Sequence, residues 1–209
     1  AAVAWAEEPR VAFDADRSSF ESNLPLLSEQ GDRVLIGEVG ADGGRGSPNY
    51  SLLIMNLEDG KASWRKELLS ADESTDLSNA QRAKLVKRRF KKLKKELSAT
   101  TWVGMTALAV QSSDGNTGQL DEPPLSFSFQ EDVLEVTQGE LVRVIDEPWM
   151  KDFTVAGETE DDMKCVYRSF VSNAWLLGDG KRMLVEISFL ADGLCWSPSA
   201  SLHIVRLAD

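Results

Sequence analysis

Apolar residues recur at two different spacings along this chain, and the spacings divide it into strand-like and helix-like stretches. Arg33–Val39, Tyr50–Leu57, Arg182–Leu190 and Ala200–Leu207 are short runs dense in aliphatic and branched side chains, with Gly, Asp, Ser or Pro nearby. Such runs predict β-strands. Within the last of them, Leu202, Ile204 and Arg206 alternate with His203, Val205 and Leu207. Both sets hold apolar residues, which predicts a strand covered on both faces. Trp102–Gln111, Leu125–Phe129, Asp132–Thr137 and Glu140–Asp146 also read as strands, and Phe153–Ala156 as a short one. Gln138-Gly139 signals a hairpin between the third and fourth of these. Ser112–Pro124 reads as a long polar loop, and Leu68–Ser78 as a polar, acidic connection. One stretch has a different period. From Asn79 to Leu97, the residues Val86, Phe90, Leu93 and Leu97 fall at i, i+4, i+7 and i+11, a single apolar stripe on a helix. Asp76 or Ser78 can cap it. About nine strands and one long helix predict an α+β fold, mainly antiparallel β.

The pattern also repeats. Ser19-Phe20-Glu21-Ser22-Asn23-Leu24-Pro25-Leu26-Leu27 reads against Ser169-Phe170-Val171-Ser172-Asn173-Ala174-Trp175-Leu176-Leu177. Gly31–Ile36 then matches Gly180–Val185 with a one-residue gap, and Ala41-Asp42-Gly43 matches Ala191-Asp192-Gly193. Ser47, Pro48, Ser51, Leu52, Ile54, Leu57 and Asp59 each recur 150 positions later. Two homologous strand-loop-strand units, duplicated hairpins, thus bracket a central β region that carries one long basic amphipathic helix. Propeller blades recur at about 40–50 residues, so this spacing is not theirs. The expected arrangement is one domain over residues 1–209. Its end hairpins would pair or face each other, and the middle strands would complete a sheet or sandwich.

Composition changes this picture little. A chain of 209 residues is long enough to bury a core without staples. No apolar run approaches the roughly 20 residues of a membrane helix, so no transmembrane segment is expected. Ala1–Pro9 shows the small-residue spacing found after a signal-peptide cleavage site, which predicts a secreted or periplasmic protein with residues 1–15 as a flexible N-terminus. Cys165 and Cys195 are the two cysteines, and they form either a disulfide or two unpaired thiols.

Charge changes it more. The chain carries a net −11, yet Arg82–Glu96 holds nine basic residues against one acidic. An acidic body with one basic rod is not a nucleic-acid footprint, so no nucleic acid is expected. The basic helix, through Lys87, Arg88, Lys91, Lys92, Lys94 and Lys95, is the leading interaction candidate. It would engage a protein partner or an anionic membrane surface.

Catalytic signatures are sparse. His203 is the only histidine, and a general base would need a positioned partner. The sequence has no Gly-x-Ser-x-Gly elbow and no Walker loop. Two matched loops, with Asp42 and Arg45 in one and Asp192 and Trp196 in the other, are candidates for binding. Their aspartates also suit turns, where a carboxylate bonds nearby amides. Glu158, Glu160, Asp161 and Asp162 form an acidic turn that can offer hard oxygens to Ca²⁺, with Asp121 and Glu122 as further ligands. A solvated loop is the plainer reading, and no cofactor is expected otherwise. Six tryptophans are many for this length. Trp149 and Trp196 stand in Pro-containing loops where rings stack on ligands or cap core edges.

The order of elements supplies one resemblance. A Gly-Asp turn enters a strand, the Gly-rich Gly40–Pro48 loop follows, and a return strand ends Asn56-Leu57-Glu58-Asp59, with Trp64 beyond it. Then come the Ala80–Leu97 helix and a second turn-strand-loop-strand unit. This order resembles a family of predicted secreted bacterial proteins of unknown function, over most of the chain. The resemblance implies export and implies no chemistry. The function expected is therefore an exported envelope protein acting as a non-enzymatic binding or interaction module. The alternatives are a metal-dependent, hydrolase-like enzyme using loop carboxylates and a membrane-surface binder using the basic helix.

Overall fold

A computed structural model describes residues 6–40, 47–111, 116–146, 167–191 and 200–207. The chain divides into two compact units. The first comprises residues 1–106 and 177–179, the second residues 107–176 and 180–209. Antiparallel strand pairs dominate both, and helices are few, as an α+β chain of mainly antiparallel β requires.

The first unit opens with a hairpin of β1 (Val11–Asp14) and β2 (Ser19–Ser22). Val11 and Phe13 on β1 are buried, although they lie within the segment expected to be a flexible N-terminus. Next come β3 (Leu26–Ser28), β4 (Arg33–Glu38), β5 (Tyr50–Asn56) and β6 (Ala62–Leu69). Two helices follow, α1 (Ala71–Asp76) and α2 (Asn79–Leu97), and then β7 (Trp102–Gly104). The sheet order is β6-β5-β4-β3-β7. In β4, Val34, Leu35 and Ile36 are all buried, as expected of a strand covered on both faces. β4 and β5 pair Arg33 with Asn56, Leu35 with Ile54 and Glu38 with Ser51. Just past this ladder, Leu57 donates its N–H to the Asp32 carbonyl at 2.9 Å.

Both helices begin with reciprocal caps. Ser70 and Glu73 form a capping box at α1, and Ser78 and Gln81 form one at α2. Ser78, not Asp76, is therefore the cap of the long helix. The connection read as polar and acidic contains α1, which has no apolar stripe to announce it. Val86, Phe90 and Leu97 of α2 enter the core with Phe13, Leu52 and Leu68. The far end of α2 is fixed by buried Trp102, whose Nε1 donates to the Leu97 carbonyl at 2.9 Å.

The second unit contains two sheets. One, ordered β13-β12-β11-β10-β9, is a meander of β9 (Ala109–Val110), β10 (Thr117–Leu120), β11 (Leu125–Gln130), β12 (Val133–Gln138) and β13 (Leu141–Asp146). The other, ordered β16-β15-β14-β8, holds β8 (Thr106–Ala107), where the chain passes between units, with β14 (Tyr167–Leu176), β15 (Arg182–Ala191) and β16 (Ser201–Arg206). Phe127, Phe129 and Leu134 from the first sheet share one core with Val171, Met183, Ile187 and Val205 from the second. This makes a β-sandwich. β15 and β16 pair Arg182 with Arg206, Leu184 with Ile204 and Ile187 with Ser201. Leu207 donates its N–H to the Lys181 carbonyl at 2.7 Å.

Three further expectations change, and β1, β2 and β6 form where no strand was expected. The Ser112–Pro124 loop contains β10. The Trp102–Gln111 strand is broken into β7, β8 and β9, each hydrogen-bonded in a different place. The end hairpins do not pair with each other, because β3–β5 and β14–β16 belong to different sheets.

Candidate functional site

The basic residues of α2 divide by what they touch. Arg82 turns inward, where Nε and Nη2 donate to the Ser74 carbonyl and Nη1 donates to Asn79 Oδ1. Arg89 reaches Glu73 through both terminal nitrogens, at 2.7 and 2.6 Å, and its Nη1 also donates to the Leu68 carbonyl. Lys94 pairs with Glu8 at 2.7 Å. These three serve the fold.

Six others do not. Lys84, Lys87, Arg88, Lys91, Lys92 and Lys95 are exposed, and among the described residues none forms an ion pair. Lys84, Arg88, Lys91 and Lys95 stand at i, i+4, i+7 and i+11, so they form one straight ridge of about 16 Å. Lys87 and Lys92 flank it. The other side of the helix carries buried Val86, Phe90 and Leu97. One helix thus buries its apolar residues and presents a row of cations to solvent. Of the six helix residues singled out from sequence, Arg88, Lys91 and Lys95 stand on this ridge and Lys87 and Lys92 flank it. Lys94 departs from it for Glu8, and Lys84 joins it. The signal for Lys84 was its four-residue spacing from Arg88.

Two clefts adjoin α2. One of about 530 Å³ lies at the α1–α2 junction, with Asp76 and Glu73 facing Lys84 and Arg88 across Leu77 and Leu85. The other, about 390 Å³, lies between α2 and the β1–β2 hairpin, beside Arg10, Glu21, Phe90 and Lys94. Each is bordered by both charge signs, so neither extends the ridge as a purely cationic groove.

The remaining candidates fall elsewhere. Asp42, Arg45, Asp192 and Trp196 lie outside the described residues, as do Glu158, Glu160, Asp161 and Asp162, and also Cys165 and Cys195. Asp121 and Glu122 are exposed in the turn between β10 and β11. Among the described residues, no three His, Cys, Asp or Glu side chains converge as a metal-holding group. His203 sits opposite Val185 in the β15–β16 ladder, with Nε2 at 2.7 Å from Ser201 Oγ.

One surface gave no warning in the sequence. Leu141, Val142 and Val144 of β13 are 37%, 53% and 63% exposed. Their strand reads as ordinary core β, but Val142 and Val144 share the outer face of the sheet with Thr137 and Glu135, opposite the face on which Leu134, Val136 and Ile145 meet the core.

Comparison with protein-family models, with curated proteins and with solved structures finds no match to this chain. Among the described residues, no helix is long and apolar enough to cross a membrane.

Proposed function

We propose that this protein is a non-enzymatic binding module that engages an acidic protein partner through the cationic ridge of α2. One observation carries the reading: six exposed cations form no ion pair among the described residues, on a helix whose Val86, Phe90 and Leu97 are already buried in the core. A basic amphipathic helix that lies on a membrane keeps its apolar face for the headgroup layer. Here Val86, Phe90 and Leu97 are committed to packing, which favours a protein partner over insertion at a lipid surface.

The scaffold behind this module is a duplication. In support, β4 and β5 have the same register as β15 and β16. Leu35 opposite Ile54 corresponds to Leu184 opposite Ile204, and the Leu57–Asp32 bond corresponds to the Leu207–Lys181 bond. Gly31 and Gly180 both adopt positive φ, +72° and +67°, in the turns that start these ladders. The orders β5-β4-β3-β7 and β16-β15-β14-β8 also correspond. The register aligns β3 with β14 at a spacing of 149, since Leu27 opposite Val34 matches Leu176 opposite Met183. That is one residue off the spacing at which the sequences read alike. The two copies differ in what covers the sheet, and α2 is the cover in the first unit.

The test is binding to poly-L-glutamate followed by fluorescence anisotropy. Wild type is expected to bind in low salt and to release as ionic strength rises, because exposed charges are screened within about 8 Å at physiological salt. Lys91→Glu/Lys95→Glu should weaken binding at least about tenfold. Equal binding by this variant, or binding indifferent to salt, overturns the reading. Stronger binding to phosphatidylglycerol vesicles than to poly-L-glutamate would transfer the ridge to a membrane role.

A further inference from the structure

The acidity of this chain is concentrated in its second unit. Each unit holds seventeen Asp and Glu, but the first has sixteen Lys and Arg and the second only seven. The first is close to neutral, and the second has a formal charge of −10. The chain is therefore electrically polarised along its own sequence, with the cationic ridge at one place and an acidic unit at another.

On the acidic unit, β13 is an edge strand among the described residues. It carries three of the five exposed large apolar side chains among the described residues. Scattered exposed valines are ordinary. An edge strand with several is a surface suited to a partner. Carboxylates accompany it: Glu135 lies directly opposite Val144 on β12, and Glu140 stands in the turn before Leu141. Both are exposed. Val142 and Val144 share one face with Glu135, so the surface is a pair of valines bordered by negative charge.

We infer that the α2 ridge of one copy docks on the β13 edge of a second copy, joining chains head to tail. This rests on reading the ridge as a docking surface, and it names the acidic partner as the protein itself. The lengths agree, since the ridge from Lys84 to Lys95 spans about 16 Å and β13 about 17 Å. The chemistry agrees as well. Lysine stems are aliphatic and lie along Val142 and Val144, while their ammonium groups reach Glu135 and Glu140. Donor and acceptor surfaces differ, so the contact is heterologous and each added copy leaves one ridge and one edge open. Assembly then grows with concentration. A contact this small and this charged is weak and salt-dependent.

Sedimentation velocity over a concentration series tests it, at about 20 mM and about 500 mM salt. Wild type is expected to gain mass with concentration in low salt and to be monomeric in high salt. Lys91→Glu/Lys95→Glu and Glu135→Lys/Glu140→Lys should each weaken association at least about tenfold when alone. Mixed together they should associate again, because each reversed surface now has a complementary one on the other variant. All four positions are exposed, and thermal melts of both variants should match wild type. Wild type that stays monomeric at every concentration in low salt overturns the inference, and so does a mixture that stays monomeric. Monomeric wild type that still binds poly-L-glutamate through the ridge overturns only the self-association. Loss of both overturns the ridge reading too.

Discussion

Arg89 meets Glu73 fork on fork, with Nη1 donating to Oε2 at 2.7 Å and Nη2 donating to Oε1 at 2.6 Å. The same carboxylate accepts from the Ser70 backbone N–H and hydroxyl at the start of α1. One side chain therefore caps the short helix and fastens it to the long one. The bidentate geometry is the strong form of a charge-assisted pair. It also removes Arg89 from the cationic ridge.

This pair gives stability a defined pH dependence. The Arg89 hydrogen bonds hold the Glu73 carboxyl at about 2, against an ordinary value of 4.5, with Ser70 assisting and partial burial opposing. A depressed carboxyl pKa contributes stability that is complete above the unfolded value and disappears as pH falls through the folded one. The contribution should therefore fade between about pH 4.5 and pH 2. Arg89 is 33% and Glu73 36% exposed at the side chain, so solvent limits the contribution to about 1 kcal/mol. Urea midpoints measured across this range for wild type and Glu73→Gln check it. The difference between them should shrink toward acid, and parallel curves would show that the pair contributes nothing net.

The two sides of α2 should respond to mutation in opposite ways. Phe90 is buried among core residues, and Phe90→Ala is expected to cost about 3 kcal/mol. Lys91 is its sequence neighbour but is exposed and unpaired, and Lys91→Glu should change stability by less than about 0.5 kcal/mol. Guanidinium denaturation separates these outcomes. A large loss at Lys91 would make the ridge structural.

Trp102 supplies a third check. It is almost wholly buried, and its indole N–H serves the Leu97 carbonyl at the end of α2. Trp102→Phe keeps most of the apolar bulk and removes the donor. The Leu97 carbonyl keeps a longer bond from the Thr100 N–H at 3.2 Å, so losing the indole donor costs about 0.5–1 kcal/mol. The denaturation midpoint should fall accordingly, and Trp102→Ala should fall further through the cavity it leaves. Equal midpoints for Trp102→Phe and wild type would mean that the Thr100 N–H alone satisfies the carbonyl.

How legible these features were depends on whether they rest on periodicity. Val86, Phe90 and Leu97 lie at helical spacing, and the sequence located α2 to its ends. The β4–β5 and β15–β16 strands were legible because each carries a cluster of aliphatic residues, such as Val34–Ile36, Leu52–Met55 and Met183–Val185, beside turn residues. α1 was not, since six polar and small residues carry no stripe, although Ser70 and Glu73 stand at capping-box spacing. The three fold-serving basic residues of α2 were hidden for another reason. Arg82, Arg89 and Lys94 look like their neighbours until Ser74, Glu73 and Glu8 are brought to them by the chain. The exposed valines of β13 were illegible because apolar residues occupy both faces of Leu141–Ile145 and give no alternation to mark the outer one.

β10, like β1, β2 and β6, is a strand that the sequence did not announce, and its reason leads to the sharpest prediction. Thr117-Gly118-Gln119-Leu120 alternates, but its first inward position is a glycine that leaves no apolar signal. Gly118 is paired with Phe127 on β11, and the Phe127 ring occupies the space a side chain would fill. A Cβ at position 118 would lie 2.2 Å from Phe127 Cε1. Phe127 is buried beside Phe129 and Val136, so its ring has little room to retreat. Gly118→Ala should therefore cost about 2–3 kcal/mol through overpacking. Phe127→Leu alone should also destabilise, by opening a void. The two changes act on one shared space, and the double variant should be more stable than the sum of the single losses predicts. A double-mutant cycle in urea measures that coupling. Additive losses would mean that the alanine methyl finds space elsewhere and that glycine at 118 is not held there by the ring.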